Sequence, residues 1–249
     1  MIEKKIYYVW IGNAKEPDIF YKCLDSWKRN LPDFEITEIN EKNFDMEKHL
    51  KENRFFMECY RRKLWAYVSD YMRVHFMYGN SGIYVDTDME IIKDISPLIE
   101  DEKMKFFIGY EDKKHISVGI FGCEKNSKIL KDIMEFYEKD IWEKPLWTIP
   151  KIFTYIFEKK YNLTEKRENI LEKGEIIIYP EEYFYPYGYK EKFSNECIKE
   201  NTYGIHWWND SWSNLKARLF LESKHLKGFS KLIKKIRIIT RYYIIEKRR

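Results

Sequence analysis

Residues 65–88 read WAYVSDYMRVHFMYGNSGIYVDTD. The segment places an Asp/Arg pair on a helical pattern, then a Gly-flanked break, then a short apolar strand ending in two carboxylates. Leu64, Val68, Tyr71 and Val74 recur at helical spacing, and Trp65, Met72 and Phe76 widen the stripe. Residues 60–78 are therefore expected to form a helix that is mostly buried. Gly79 to Gly82 breaks it. A strand repeats every two residues. On a strand over 83–88, Tyr84, Asp86 and Asp88 share one face while Ile83 and Val85 share the other. With strand geometry kept to Asp88, two anionic oxygen donors converge at one sheet edge, a place to hold a hard divalent cation against a phosphate.

Upstream, residues 6–11 (IYYVWI) read as a buried strand ended by Gly12-Asn13, residues 18–29 as a helix stopped by Asn30-Leu31-Pro32-Asp33, and residues 34–39 as a second strand. Strand, helix, strand argues for a parallel α/β unit with a right-handed crossover. Downstream, 91–99 continues into a turn, 106–122 reads as two strands around a polar turn, and 127–139 and 148–161 read as helices. Residues 175–187 hold a strand and a Pro-punctuated aromatic loop. A strand at 203–206 precedes HWWNDSW and a helical tail. No repeat, low-complexity stretch or linker is present, so the expectation is one domain over 1–223 plus a basic C-terminal helix over 224–249.

Composition narrows the class. The 249 residues are 44% hydrophobic and 35% charged, which supports a globular core and does not suggest disorder. Twenty Tyr and eight Trp supply both core and cleft-lining rings. Cys23, Cys59, Cys123 and Cys197 are scattered without CxxC spacing, so neither a zinc site nor a disulfide framework is expected, and a reduced, cytoplasmic compartment fits. The chain runs from Met1 straight into a strand, without an apolar leader or a run of about 18 apolar residues. Residues 224–249 hold ten Lys/Arg and one Glu, or +9, which leaves −5 for the rest of a chain whose total is +4. The acidic body and the lack of a recognisable module argue against nucleic-acid binding. The tail carries Phe229, Leu232, Ile233, Ile236, Ile239 and Tyr243 along one helical stripe among Lys and Arg. That pattern fits either a helix lying on an anionic membrane or a solvated terminal helix partly packed on the core.

An isolated Asp-x-Asp is weak evidence: thirteen Asp in 249 positions give roughly 0.7 such pairs by chance. Its position at the end of an apolar strand strengthens it, because carboxylates there are costly unless paired or bound to a cation. Asp70 and Arg73, on one face of an apolar helix, are either an ion pair that locks the helix to the sheet or a handle for a ligand's hydroxyls and phosphates. Trp10, at the carboxyl end of the first strand, is either a core residue or a platform for a flat base. His206, beside three indoles and several polar groups, is either a structural imidazole or a metal ligand.

Four stretches together resemble glycosyltransferase family 32, the sugar-transferase family with an Asp-x-Asp motif. It includes bacterial capsule and polysaccharide glycosyltransferases, fungal initiating mannosyltransferases and the catalytic domains of large glucosylating toxins. The stretches are IYYVWIGN, SWKRNLPDFEITEINEKNFD, AYVSDYMRVHFMYGNSGIYVDTDMEI and YGIHWWNDSW, spread over most of 1–215. The resemblance implies a GT-A fold: a single Rossmann-like α/β domain with a mixed, mostly parallel central sheet flanked by helices.

The resemblance also implies roles. Trp10 would stack on the nucleobase. Asp70 and Arg73 would hold the donor sugar, with Arg73 near the phosphates, and Tyr84 would line the donor pocket. Asp86 would touch the ribose or the metal, and Asp88 would ligate the metal. His206 and Ser211 would complete the metal or diphosphate site, Trp212 would close over the leaving group, and Asn40 or Asn43 would touch the nucleoside. Two features depart from the pattern: ISVG at 116–119, where relatives often carry Asn before Gly, and the second Trp of HWWNDSW.

The implied activity is retaining transfer from a nucleotide sugar, UDP-linked, with Mn2+ or Mg2+. The acceptor would be a saccharide or a lipid-linked saccharide in capsule or surface polysaccharide synthesis, at the inner face of the membrane. No residue reads as an obvious covalent nucleophile, so front-face attack by the acceptor is expected. Two rivals need no nucleotide: a glycoside hydrolase using two carboxylates, and a membrane- or sugar-binding module whose carboxylates hold a structural ion.

Overall fold

The computed structural model describes residues 1–12, 14–209 and 215–246. Strand β1 (Lys5–Val9) alternates between two cores, with Ile6 and Tyr8 in one and Tyr7 and Val9 in the other. Helix α1 (Asp18–Asn30) buries Phe20, Cys23, Ser26 and Trp27 and ends just before Pro32. Strand β2 (Glu35–Ile39) returns parallel to β1, completing the expected crossover. Helices α2 (Met46–Glu52) and α3 (Arg54–Arg61) are capped by side chains: Asp45 accepts from the Lys48 N–H and Asn53 from the Phe56 N–H.

Residues 60–78 do not form one helix. The chain leaves α3 at Arg62, passes through Lys63 at φ 56°, and re-enters helix as α4 (Trp65–Tyr78). Leu64 and Val68 are both buried, so the apolar periodicity runs through the break and hides it. Strand β3 (Gly82–Val85) follows, then β4 (Met89–Ile91), β5 (Phe106–Tyr110) and β6 (Ile116–Cys123). Next come α5 (Lys128–Glu138), α6 (Ile149–Lys160), β7 (Ile170–Leu171), β8 (Ile176–Tyr179) and the single turn α7 (Glu181–Phe184). Strand β9 (Gly204–His206) and helices α8 (Leu215–Leu221) and α9 (Gly228–Arg241) end the fold.

Seven strands form one sheet in the order β2-β1-β3-β6-β5-β8-β7. β3–β6, β5–β6 and β7–β8 pair antiparallel and the other pairs are parallel, so five of the seven strands run the same way. One face is covered by α3 to α6, through residues such as Phe56, Tyr71, Ile133 and Phe153. The other is covered by α1, β4 and α7, through Phe20, Trp27, Met89 and Phe184. This is the mixed, mostly parallel central sheet that the sequence led one to expect. Among the described residues all four cysteines are free, and no helix is long and apolar enough to cross a membrane.

β4 and β9 form a separate two-stranded ribbon, with Met89 opposite His206. The outer edge of β4 is satisfied by side chains of α1 instead of a third strand. Trp27 Nε1 donates to the Met89 carbonyl at 2.7 Å and Asn30 Nδ2 to the Ile91 carbonyl at 2.8 Å. Ser26 Oγ accepts from the Ile91 N–H at 3.0 Å and donates to the Cys23 carbonyl at 2.6 Å. The bonds of Ser26 and Trp27 are buried, so removing either side chain leaves an unpaired partner. Ser26→Ala is expected to cost about 1–3 kcal/mol by orphaning the Ile91 N–H. Urea unfolding checks this as a lower midpoint at unchanged slope.

Candidate functional site

Strand β3 stops at Val85, and Asp86, Thr87 and Asp88 lie in a tight turn before β4. The Met89 N–H closes the turn on the Asp86 carbonyl at 2.9 Å, while the Asp86 N–H donates to the Gly119 carbonyl of β6 at 2.7 Å. The strand expected over 83–88 is thus four residues long. The two carboxylates are brought together by a turn and not by strand alternation. β9 adds His206 beside them. Asp86, Asp88 and His206 each offer a ligand atom, all within 4.8 Å of one another.

Helix α4 approaches the turn from the opposite face of the sheet and places Arg73 against it. Arg73 NH1 lies 2.9 Å from Asp86 Oδ1 and donates to the Val118 carbonyl at 3.1 Å, and NH2 lies 3.2 Å from Asp70 Oδ1. The guanidinium packs over the Tyr84 ring at 4.5 Å, and the Tyr84 hydroxyl donates to Asp86 Oδ1 at 2.9 Å. Asp70 and Arg73 are 1% and 2% exposed. The geometry thus realises the ion pair between them. Asp70 stands behind Arg73 and lines neither cavity described below, so its influence on the site passes through Arg73.

On the other side of the turn, His206 Nε2 lies 3.1 Å from Asp88 Oδ1, and the Asn209 N–H donates to Asp88 Oδ2 at 2.8 Å. The Trp207 N–H donates to the Asp88 carbonyl at 3.0 Å. His206 Nδ1 is buried without a hydrogen-bond partner among the described residues.

The charges are unevenly matched. Burial pushes the Asp70 carboxyl well above the usual carboxylate range, and Arg73 only partly offsets this. Burial also raises Asp86 against the pull of Arg73. For Asp88, burial is outweighed by His206 and by the Asn209 N–H, so its carboxyl lies below the usual range. Burial opposes charge on His206, but Asp88 and Asp86 prevail and hold the imidazole above its ordinary pKa. Burial likewise opposes charge on Arg73, and Asp86, Tyr84 and Asp70 prevail. Two carboxylates and one imidazole within reach of each other fit a divalent cation that accepts oxygen and nitrogen ligands.

Two cavities meet here. The first, of about 410 Å³, is lined by Trp10, Trp65, Arg73, Tyr84, Asp86 and His206. Trp10 stacks on Phe20 with ring centroids 6.0 Å apart, and its Nε1 donates to the Ala14 carbonyl at 3.2 Å. Gly12, at φ 78°, lets the chain turn where a Cβ would lie 3.2 Å from the Trp65 indole. The second cavity, of about 760 Å³, is lined by Glu111, Ser117, Trp147, Lys151, Tyr189 and Trp208. Arg73, Asp86, Asp88, His206 and Asn209 belong to both walls.

Of the residues singled out from the sequence, Trp10, Arg73, Tyr84, Asp86, Asp88 and His206 converge on one place. Asn40 and Asn43 line neither cavity and are spent on Glu38: Asn40 Nδ2 donates to its carboxylate at 2.7 Å and Asn43 Nδ2 to its carbonyl at 2.7 Å. Ser211 and Trp212 lie outside the described residues. Trp65, Glu111 and Trp147 were not anticipated. Trp65 opens the quoted segment but reads there as part of the apolar stripe, and the other two carry no local motif.

Removing Arg73 leaves the buried Asp70 without its cation and the partly buried Asp86 without its nearest one. Arg73→Met is therefore expected to lower stability by about 3–5 kcal/mol. Asp70→Asn combined with Arg73→Met should recover part of that loss. Urea unfolding of the two variants measures both effects.

Comparison with known proteins places the chain. Residues 17–105 match the family model described as "Glycosyltransferase sugar-binding region containing DXD motif". Lactosylceramide 4-alpha-galactosyltransferase of Homo sapiens is 23% identical over 155 residues, which cover 57% of this chain and 41% of that protein. The Rattus norvegicus protein of the same name gives 23% over 155 residues, 57% of this chain and 40% of its own length. The chain thus spans about two-fifths of the length of the curated relatives it matches. Among solved structures, "PaToxG Glycosyltransferase" superposes with a TM-score of 0.53 at 17% identity, covering 66% of this chain and 72% of that one. Over residues 17–105 the chain is thus similar to glycosyltransferase sugar-binding regions with an Asp-x-Asp motif, and its fold is that of the GT-A glycosyltransferases.

Proposed function

We propose that the chain is a metal-dependent, retaining glycosyltransferase. It moves a sugar from a UDP-linked donor to a saccharide or lipid-linked acceptor in capsule or surface polysaccharide synthesis, on the cytoplasmic face of the membrane. The observation that supports this best is the junction of two cavities at one acidic turn, with Arg73, Asp86, Asp88, His206 and Asn209 facing both. A transferase must hold donor and acceptor against the same carbon, and two pockets that open on one set of side chains suit that.

The donor occupies the smaller cavity. Trp10, backed by Phe20, and Trp65 offer indole faces to a flat base. Asp86, Asp88 and His206 would hold Mn2+ or Mg2+, which when bound supplies Lewis acidity toward a diphosphate. Arg73 adds a fixed positive charge beside the breaking bond, and its orientation is set in advance by Asp70, Asp86 and Val118. The bond from the sugar's anomeric carbon to the phosphate oxygen breaks. The acceptor hydroxyl bonds to the same face of that carbon, and its proton passes to the departing phosphate.

The acceptor occupies the larger cavity. Trp147, Tyr189 and Trp208 present apolar ring surface, while Glu111, Ser117 and Lys151 present polar groups. That mixture suits a saccharide, whose C–H faces lie on rings and whose hydroxyls need partners. The relatives' printed name specifies lactosylceramide as acceptor, which fits a lipid-linked saccharide here.

Nucleotide release from a panel of UDP- and GDP-sugars in the presence of Mn2+ tests the donor half. One UDP-sugar should be turned over, and Asp88→Ala should lower kcat on the order of 10²–10³-fold, as expected for losing a charge-stabilising group. Turnover that survives both this variant and a chelator would remove the metal from the mechanism. Trp147→Ala should raise the acceptor KM by roughly tenfold, the worth of one stacked ring, while donor hydrolysis stays unchanged. An unchanged acceptor KM would place the acceptor elsewhere.

A further inference from the structure

A third cavity, of about 630 Å³, lies away from the acidic turn, between α3, α8 and α9. Its cations are Arg54, Arg62, Lys216, Lys224, Lys231 and Lys235, and its one carboxylate is Glu58. Glu58 is already engaged, at 2.8 Å from Arg62 and 3.1 Å from Arg61. Two of the cations are held by rings. Arg54 packs over Trp142 at 4.3 Å and Arg62 over Phe220 at 4.5 Å. The Lys224 ammonium is buried and donates to the carbonyls of Lys144 at 3.0 Å and Leu146 at 2.7 Å. Lys231 and Lys235 have no ion pair among the described residues. A cavity with six cations and one committed carboxylate is built for an anion that brings several oxygen acceptors.

Helix α9 forms one rim of this cavity and carries an exposed apolar face. Phe229, Leu232, Ile236 and Ile239 share one side of the helix and are between 40% and 75% exposed. The inner side is anchored: Ile238 is buried, and Lys234 meets Glu222 of α8 at 3.2 Å. At about 100° per residue, Lys231 and Lys235 fall on the flank between the Ile238 side and the apolar face. The cations of the cavity and the exposed apolar stripe are therefore adjacent.

We propose that this cavity seats the phosphate headgroup of an anionic membrane lipid while the apolar face of α9 lies in the bilayer surface beside it. Charge complementarity selects the occupant. A bilayer carrying acidic headgroups offers phosphate oxygens and apolar surface within a few ångströms of each other, which is the pairing this surface presents. A nucleic acid would leave the apolar face uncovered. The proposal does not depend on the transfer reaction and is read without it.

The test is co-sedimentation of the full chain with vesicles of phosphatidylcholine alone and of phosphatidylcholine mixed with phosphatidylglycerol. The full chain should bind the mixed vesicles and leave the neutral ones. Lys231→Gln/Lys235→Gln should weaken binding by about fivefold per charge removed. Arg54→Gln/Lys216→Gln, on walls other than α9, should do the same. Lys227→Gln/Arg237→Gln, exposed on the tail and outside the cavity, should weaken it less. Leu232→Ser/Ile236→Ser should reduce binding to the mixed vesicles while thermal unfolding remains unchanged. Equal losses in all three charge pairs would show a diffuse basic surface and overturn the seat. The seat is equally overturned if the serine pair is without effect, if inorganic phosphate binds where vesicles do not, or if sedimentation velocity shows a dimer abolished by the serine pair.

Discussion

A single buried positive charge organises the site. Arg73 is 2% exposed, a position an ion tolerates only with close partners. It finds them on three separate pieces of chain: Asp70 on its own helix, Asp86 at the end of β3, and the Val118 carbonyl on β6. Its planar fork fixes direction as well as distance, so the three elements are held in register by one group. Tyr84 closes the arrangement from below with its ring and from the side with its hydroxyl. Without this fork the Asp86 carboxylate would keep only the Tyr84 hydroxyl and the more distant His206 against a burial that favours its neutral form.

The other half of the site is assembled across sequence. Asp88 and His206 are 118 positions apart and meet because β4 pairs with β9. β4 is only three residues long, and its free edge is completed by Ser26, Trp27 and Asn30 of α1. A helix near the start of the chain thus fixes the strand that fixes the histidine. The turn itself is held by three backbone bonds: one closes it, one ties it to β6 and one joins Asp88 to Trp207.

The fold was largely legible because its signals are local. The run IYYVWI, the Pro32 stop and the alternation around Tyr84 each declare an element through periodicity or backbone chemistry. The break at Lys63 was not legible, since Leu64 and Val68 keep the apolar rhythm through it. Nor was the end of β3 at Val85. Asp86 to Asp88 satisfies strand alternation, and only the bond from the Met89 N–H turns it back. Within the site, Asp86, Asp88 and Arg73 stood out because charges amid apolar sequence need a reason, and His206 because it sits beside several indoles and polar groups. Trp147 and Glu111 did not, because what brings them to the cavity is the packing of α6 and of the β5–β6 turn, which no short motif encodes.

The wall shared by the two chambers has a consequence for anything that enters either one. Arg73, Asp86, Asp88, His206 and Asn209 line both sides. Fields between groups a few ångströms apart in a partly dry interior are only weakly screened. A molecule arriving in one chamber therefore alters the potential in the other without any movement of the backbone. Electrically, the two chambers are a single compartment with two doors.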